Sequence, residues 1–338
     1  MKKEATIYDI AKELSLSAST VSRALKSNPV INVQTRKKVQ ICAEKLGYRS
    51  NAFASNLRMR RTNTIGVIVP RLDSNFMSAC LAGMEEMANE RGYNMIISQS
   101  HESVQKEQQN TTTMYNSRVD GIIASLTVED SDLSYFKRFK EKNVPVVYFD
   151  RVPEDTDSVC FVIDNYKVAK EATKHLIAQG CKHLLHITVK SNSNVYTDRT
   201  RGFLDVVGKC NICSGEVFYL DALTLETGKK VVEQIMAMEK KPDGLFVAND
   251  MAAVGCLLKL QDEGISIPEQ MAIVGFNDDP VATIVSPRLT TVSYPGREAG
   301  MLAAKSLIDH LTGTQSIGLT QKVVLNAHLI VRSSSKRQ

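Results

Sequence analysis

Residues 6–25 read T-I-Y-D-I-A-K-E-L-S-L-S-A-S-T-V-S-R-A-L. Thr6 is placed to cap a helix, and Asp9 stands three residues later, where the carboxylate of a capping box belongs. Ile10, Ala11 and Leu14 follow as an apolar stripe at helical spacing. The pattern predicts a first helix that stops near Ser15 and Leu16, with Leu16 turned inward. Ser17 can cap a second helix whose buried side is Val21 and Leu25, spaced i to i+4. Two short helices and a tight turn within about 20 residues make a helix-turn-helix unit.

Further along, Asn32 or Thr35 can open a third helix carrying Val39, Cys42, Ala43 and Leu46, with Gly47 just past its end. Three short helices make a small core. Spacing alone leaves open whether such a unit meets DNA or another protein. Charge narrows the choice. Residues 1–61 hold 13 Lys+Arg against 4 Asp+Glu, a net of +9, whereas the other 277 residues hold 29 against 33, a net of −4. A basic head on a mildly acidic body fits a polyanionic partner, and a solubilising charged tail is the alternative.

The body, from Thr64 onward, alternates short apolar runs with helical patterns. The runs fall at 65–69, 93–98, 121–126 and 144–149, then at 183–189, 217–220, 244–248 and 272–276. Continuous apolar strands alternating with helices imply parallel sheets covered on both faces. Two sets imply two doubly wound lobes, with ligands expected beyond the carboxyl ends of the strands.

Other features bound the function. The chain has 338 residues, enough for two or three domains. No apolar run approaches the length of a membrane span, and the N-terminal M-K-K-E has no apolar segment behind it. Seven cysteines suit reduced thiols, so a cytoplasmic protein is expected. Cys210 and Cys213 have metal-ligand spacing, but four converging ligands are lacking. His183 and His186 sit at i and i+3 of a strand pattern and face opposite sides. No phosphate-binding loop, nucleophile elbow or zinc-protease motif occurs, so neither an enzyme nor a cofactor nor a metal is expected. A flavodoxin-like or sugar-processing enzyme and an exported sugar-binding protein remain as alternatives, and neither accounts for residues 1–61.

The run Thr6–Leu25, continued by L-G-Y at 46–48 and N-A-F-A-S-N-L-R at 51–58, resembles the LacI/GalR family of bacterial repressors. The resemblance covers essentially the whole chain. It departs at Ser15, where the family often has glycine, at the missing proline before Phe76, and at Asn277, where most members carry Asp. It implies a helix-turn-helix domain at 1–50, a hinge helix and linker at 51–61, and an effector-binding and dimerisation domain at 62–338. Within that domain, 62–162 with 292–322 would form one lobe of periplasmic-binding-protein-like type, and 163–291 with 323–338 the other. The implied function is a sequence-specific transcription regulator, a repressor, whose affinity for a pseudo-palindromic operator is changed by a sugar or sugar derivative. The implied partners are operator DNA, the effector and a second copy of the chain, with no membrane. The C-terminus V-R-S-S-S-K-R-Q has no leucine heptads for a further tetramer helix.

By the same resemblance, Ala18, Ser19 and Arg23 read bases in the major groove. Ser17, Thr20, Ser22, Asn28 and Thr6 contact the backbone, and Leu57 wedges into the minor groove. The effector would meet Phe76, Asp150, Arg199, Asn249 and Asn277. Arg199 stands three residues before Gly202, where the family places an arginine that grips the ligand. Asp250 and Asp278 are equally readable as helix caps.

Overall fold

A computed structural model describes residues 5–48, 61–127, 132–319 and 322–337. The chain divides into two units, Met1–Thr62 and Asn63–Gln338. Leu57 and segment 51–60 of the expected hinge lie outside the described residues.

The first unit is three helices, α1 (Ile7–Glu13), α2 (Ala18–Leu25) and α3 (Val33–Lys45). Asp9 Oδ2 accepts from both the amide (2.8 Å) and the hydroxyl (2.7 Å) of Thr6 at the start of α1. Ser17 Oγ accepts from Thr20 N (3.1 Å), and Asn32 Oδ1 from Gln34 N (2.8 Å), so Asn32 rather than Thr35 caps α3. Ile10, Val21 and Val39 are fully buried at the centre. The buried side of α2 is Val21 with Ala24, spaced i to i+3. Leu25, expected there, is half-buried.

All three helices end the same way. Leu16 N bonds Ala11 O, Asn28 N bonds Arg23 O, and Tyr48 N bonds Ala43 O, which is the six-to-one closure of a left-handed cap. The residues in the left-handed position are Ser15 (φ 52°), Ser27 (φ 54°) and Gly47 (φ 63°). Only glycine adopts that conformation without a Cβ penalty, so two of the three caps carry backbone strain.

The second unit holds two six-stranded sheets. The first contains β1 (Thr64–Val69), β2 (Asn94–Gln99), β3 (Gly121–Ala124), β4 (Val146–Phe149), β5 (Cys160–Ile163) and β11 (Lys322–Leu325), in the order β11-β5-β4-β3-β1-β2, all parallel. The second contains β6 (His183–Val189), β7 (Ser214–Leu220), β8 (Gly244–Val247), β9 (Ala272–Asn277), β10 (Thr290–Ser293) and β12 (His328–Ile330), in the order β12-β10-β9-β8-β6-β7. Only β12 runs antiparallel to its neighbour. Inner strands β3, β4, β5 and β8 are buried along their whole length, whereas the edge strands β2 and β7 are part-exposed. One face of an edge strand has less helix cover, and its sequence carries polar residues accordingly.

Helices α4 (Asn75–Glu90), α5 (Val104–Asn116) and the short α6 (Lys137–Glu141) belong to the first lobe. Helices α7 (Asn165–Ala178), α8 (Asn194–Val207), α9 (Leu225–Ala237), α10 (Asp250–Asp262) and the short α11 (Val281–Ile284) belong to the second. The chain then returns to the first lobe with α12 (Gly296–Thr312), which packs on α4. It therefore crosses between lobes three times, near Asp164, at Tyr294–Pro295 and at Asn326–Ala327. Two expected boundaries move. Residues 292–293 belong to β10 in the second sheet, and β11 belongs to the first sheet although 323–338 was expected in the second lobe. The eight expected strands are present. Strands β5, β10, β11 and β12 were not anticipated.

Candidate functional site

In both sheets the strand order changes direction between neighbours, at β1/β3 and at β6/β8. Such points leave a crevice beyond the carboxyl ends of the strands. A cleft of about 450 Å³ opens between the lobes at these ends. It receives Asn75 and Phe76 after β1, Asp150 and Arg151 after β4, Asn249 after β8, Asn277 at the end of β9 and Asp279 just beyond it. A larger hollow of about 580 Å³ lies at the opposite, amino ends of β4 and β5. Its lining includes the exposed Lys140–Asp157 pair, and no comparable set of strand-end polar groups converges on it.

Arg199, on α8, is 3% exposed. A Cβ at Gly202 would overlap Tyr166 O, so α8 lies close on α7, and Arg199 one turn earlier is set at the cleft floor. Its Nε donates to Asn165 Oδ1 (2.9 Å) and its Nη1 to Ala248 O (2.7 Å). Its guanidinium carbon stands 3.4 Å from the Phe276 ring centroid and 5.8 Å from that of Tyr196. Burial lowers its pKa to about 10, against the opposing pull of Tyr196 and Asp150, and it stays charged at neutral pH.

Asp150 is buried with φ 58°, a left-handed position that turns the chain sharply at the end of β4. Burial raises its pKa, while Arg151 and Arg199 draw it back down. Arg151 donates to both oxygens of Glu102 (2.9 and 2.7 Å) and to Tyr196 Oη (3.3 Å). Burial opposes its charge, but Tyr196, Glu102 and Asp150 outweigh burial and raise its pKa. Asn194 ties the lobes directly, donating to Asp150 O (3.0 Å) and accepting from Val152 N (3.1 Å).

Phe76 lines the cleft but is 7% exposed, its ring 4.2 Å from that of Tyr294. Its face is shared with a protein ring. Asn249 also lines the cleft, yet its amide is committed: Oδ1 caps α10 through Ala252 N (2.9 Å), and Nδ2 donates to Leu223 O (2.9 Å). Capping, which was weighed for its neighbour Asp250, is what the Asn249 side chain does. Asp250 is fully buried and accepts from Thr291 Oγ1 (2.6 Å) and Asp279 N (2.8 Å), pinning the turn after β9. Asp278 points away and accepts from Arg332 (2.7 Å).

That turn holds what the sequence reading missed. Asn277 (φ 114°) and Asp278 (φ 58°) are both left-handed, and the double twist brings Asp279 back into the cleft. Burial raises the Asp279 carboxyl to about 6, while Asn75 and Asn277 pull it down by hydrogen bonding. The signal was in the run N-D-D, of which the sequence singles out only Asn277 and Asp278. Asn75, Glu102, Tyr196 and Asp221 also line the cleft. Glu102 and Asp221 come from loops, and Asn75 and Tyr196 from the first turns of α4 and α8.

In the first unit, Ser19 and Arg23 are exposed on α2, one turn apart and away from buried Val21 and Ala24. Ala18, Thr20 and Ser22 are half-buried beside them. Ser17 Oγ, besides capping, lies 2.9 Å from Ser19 Oγ and 2.8 Å from Thr20 Oγ1. Asn28 Oδ1 accepts from Val30 N (3.0 Å), closing a local turn.

Among the described residues, no group of three or more His, Cys, Asp or Glu is placed to hold a metal, and no helix is long and apolar enough to cross a membrane. Cys210 and Cys213 are joined in a disulfide, which corrects the expectation of seven reduced thiols. The two lie three residues apart in the turn before β7, close enough to meet. His186 is buried between Phe203 and Phe246, its Nδ1 within 2.9 Å of Phe246 O.

A model of the lacI family of bacterial regulatory proteins matches residues 6–51, and one of a periplasmic binding protein-like domain matches residues 173–335. The HTH-type transcriptional regulator RegA of Clostridium saccharobutylicum is 33% identical over 308 residues, covering 90% of this chain and 91% of RegA. Two solved structures share the fold. One is the lac repressor dimer bound to operator and an anti-inducer (21% identical, TM-score 0.87, covering 98% of this chain and 99% of that one). The other is the complex of the transcriptional regulator CelR with cellobiose (24%, TM-score 0.69, 98% and 99%). Helix-turn-helix head, two-lobed body and RegA-like sequence over nine-tenths of the chain agree: the protein belongs to the lacI family of bacterial regulatory proteins and is a DNA-binding transcription regulator.

Proposed function

We propose that this chain is a repressor that binds a pseudo-palindromic operator as a homodimer, and that a sugar or sugar derivative held between its lobes changes that binding. In this reading Ala18, Ser19 and Arg23 meet base edges. Thr6, Ser17, Thr20, Ser22 and Asn28 meet phosphates, and Leu57 enters the minor groove. The outward placement of Ser19 and Arg23 supports the first assignment. Arg199, Asp150, Phe76 and Asn277 line the effector's seat, and Asn249 contributes wall rather than hydrogen bonds. The protein works in the cytoplasm as a regulator and not as an enzyme.

The observation that carries this reading is the convergence of polar strand ends from both lobes on one cleft. A ligand touching both lobes prefers one arrangement of them, and it shifts operator affinity by that same preference. The test is a gel shift of operator DNA with the full chain and with a fragment starting at Thr62, each titrated with sugars. The full chain should bind in a sugar-dependent way. The fragment should keep sugar binding and lose the operator. A fragment that still shifts operator at physiological salt overturns the division of labour.

A further inference from the structure

We propose that Cys210 and Cys213 form a reversible thiol–disulfide site that exchanges with low-molecular-weight thiols and disulfides, and that its state sets the order of the turn after α8. The bond encloses only Asn211 and Ile212. In the reducing cytoplasm, where the reading above places this regulator, disulfides are transient or redox-sensing rather than permanent.

Access separates this pair from the other thiols. Cys210 and Cys213 are half-buried, and the tip between them is open, with Ile212 75% exposed. Cys42, Cys80, Cys160, Cys181 and Cys256 are free and buried. Burial raises the thiols of Cys160 and Cys181 to about 11 and that of Cys256 to about 12. Hardly any of these three is thiolate, the reacting form, at neutral pH.

The bond joins two elements of the second lobe. Helix α8 ends at Val207, Cys210 N bonds Val207 O (3.0 Å), and β7 opens at Ser214, directly after Cys213. A Cβ at Gly215 would stand 2.8 Å from Phe203 and 3.0 Å from Val207, so the start of β7 lies close on the last turns of α8. Phe203 is one turn beyond Arg199 and, like it, buried. The disulfide therefore closes a short ring between the helix at the cleft floor and the strand beside it, and restricts the chain between them. Reduction returns that freedom to residues 208–213, while the packing of Phe203 on Gly215 keeps the helix docked.

Oxidation runs in two steps. One cysteine thiolate attacks a sulfur of an external disulfide such as glutathione disulfide; that S–S bond breaks and one external thiolate leaves. The second cysteine then attacks the mixed disulfide, the Cys210–Cys213 bond forms, and the second external thiolate leaves. Two electrons pass to the external sulfurs, and the two cysteine protons end on the released thiols. A dithiol reductant reverses both steps.

The test treats the folded full chain with glutathione disulfide or with dithiothreitol, alkylates it with iodoacetamide and reads the peptides by mass spectrometry. After glutathione disulfide the pair should resist alkylation. After dithiothreitol both cysteines should be labelled while the five buried ones stay protected, and the change should reverse. Cys210→Ser should trap a single glutathione on Cys213. Reduction should speed amide exchange across residues 208–213 roughly tenfold. Dithiothreitol should change nothing in the Cys210→Ser/Cys213→Ser double variant. A pair that dithiothreitol opens only in urea is a permanent brace, and a pair that glutathione disulfide leaves as a dithiol makes no such bond; either result overturns the proposal. Equal amide exchange in the two redox states overturns the role in the turn. A gel shift of operator DNA with the same samples tests the regulator reading separately, which fails only if neither redox form binds.

Discussion

The guanidinium carbon of Arg199 stands 3.4 Å from the ring centroid of Phe276, the last apolar residue of β9. A cation is thus laid on an aromatic face at the point where the strand enters the cleft. A desolvated contact of this type contributes about 2 kcal/mol. Together with the bonds to Asn165 and Ala248, it fixes the plane in which the remaining N–H groups can meet a ligand.

Arg199→Ala should therefore weaken effector binding by about 1.5–3 kcal/mol, one to two powers of ten. It should also lower the stability of the body by roughly 1–3 kcal/mol, because Asn165 Oδ1 and Ala248 O lose their donor. Operator binding without ligand should persist. Calorimetry with the effector, urea unfolding and gel shifts separate the three effects. Equal effector affinities for variant and wild type would remove Arg199 from the site.

Asp279 makes both stability and ligand binding depend on pH. Its folded pKa of about 6 lies above the ordinary 3.8, so the folded state holds its proton more tightly than the unfolded chain. Its contribution to stability is full below about pH 4 and is lost as pH rises through about 6, on the order of 1–3 kcal/mol. Asp279→Asn should remove that part of the profile and be more stable than wild type at pH 7. Effector binding should run the other way in wild type, strengthening as the carboxylate forms near pH 6. In the variant it should be weaker and flat with pH. Parallel affinity profiles for the two proteins from pH 5 to 7.5 would exclude Asp279 as an acceptor.

His186 works in the opposite direction on stability. Burial between two phenylalanines pushes its pKa down to about 4 from 6.5, so the folded state favours the neutral ring. Stability from this group is full above about pH 6.5 and is lost as pH falls towards 4, by roughly 3 kcal/mol. His186→Leu should lose less stability than wild type between pH 7 and pH 4.5, read as the difference between urea midpoints. An identical loss in both proteins would show that the ring does not titrate as its burial requires.

Ser15→Gly is expected to stabilise the head. Ser15 sits at φ 52° in the cap of α1, where glycine escapes the Cβ penalty of about 1 kcal/mol. Part of that gain is offset by the greater freedom of glycine in the unfolded chain, leaving about 0.5 kcal/mol. Thermal unfolding of the isolated residues 1–62, followed by circular dichroism, provides the measurement. A lower midpoint for the variant would mean that the serine hydroxyl supports the turn.

The helix caps at Thr6, Ser17 and Asn32, the apolar stripe of the head and eight of the twelve described strands were legible in the sequence. Each rests on residues close together in the chain, and helix and strand periods report such local choices directly. The short strands β5, β10, β11 and β12 were not legible. Length is not the reason, since β3, β4 and β8 are equally short; these four become strands through hydrogen bonds to distant partners: Lys322 aligns with Cys160, and Ser293 with His328.

The sequence by itself determined the class of the protein: a basic helix-turn-helix head, two lobes of parallel sheet, and the strand ends at which polar residues gather. Tertiary structure decided which of those residues are available to a ligand. Asn249 and Asp250 are adjacent in the chain, yet both spend their side chains on caps and turns. Asp279, two positions beyond the expected Asn277, reaches the cleft only because two left-handed residues precede it and Asp250 holds its amide. Burial, pairing and backbone twist are set by contacts between segments far apart in sequence. That Asp73 holds Arg71, that Glu102 holds Arg151, and that Arg199 is fixed by neutral partners therefore becomes visible only in the folded chain.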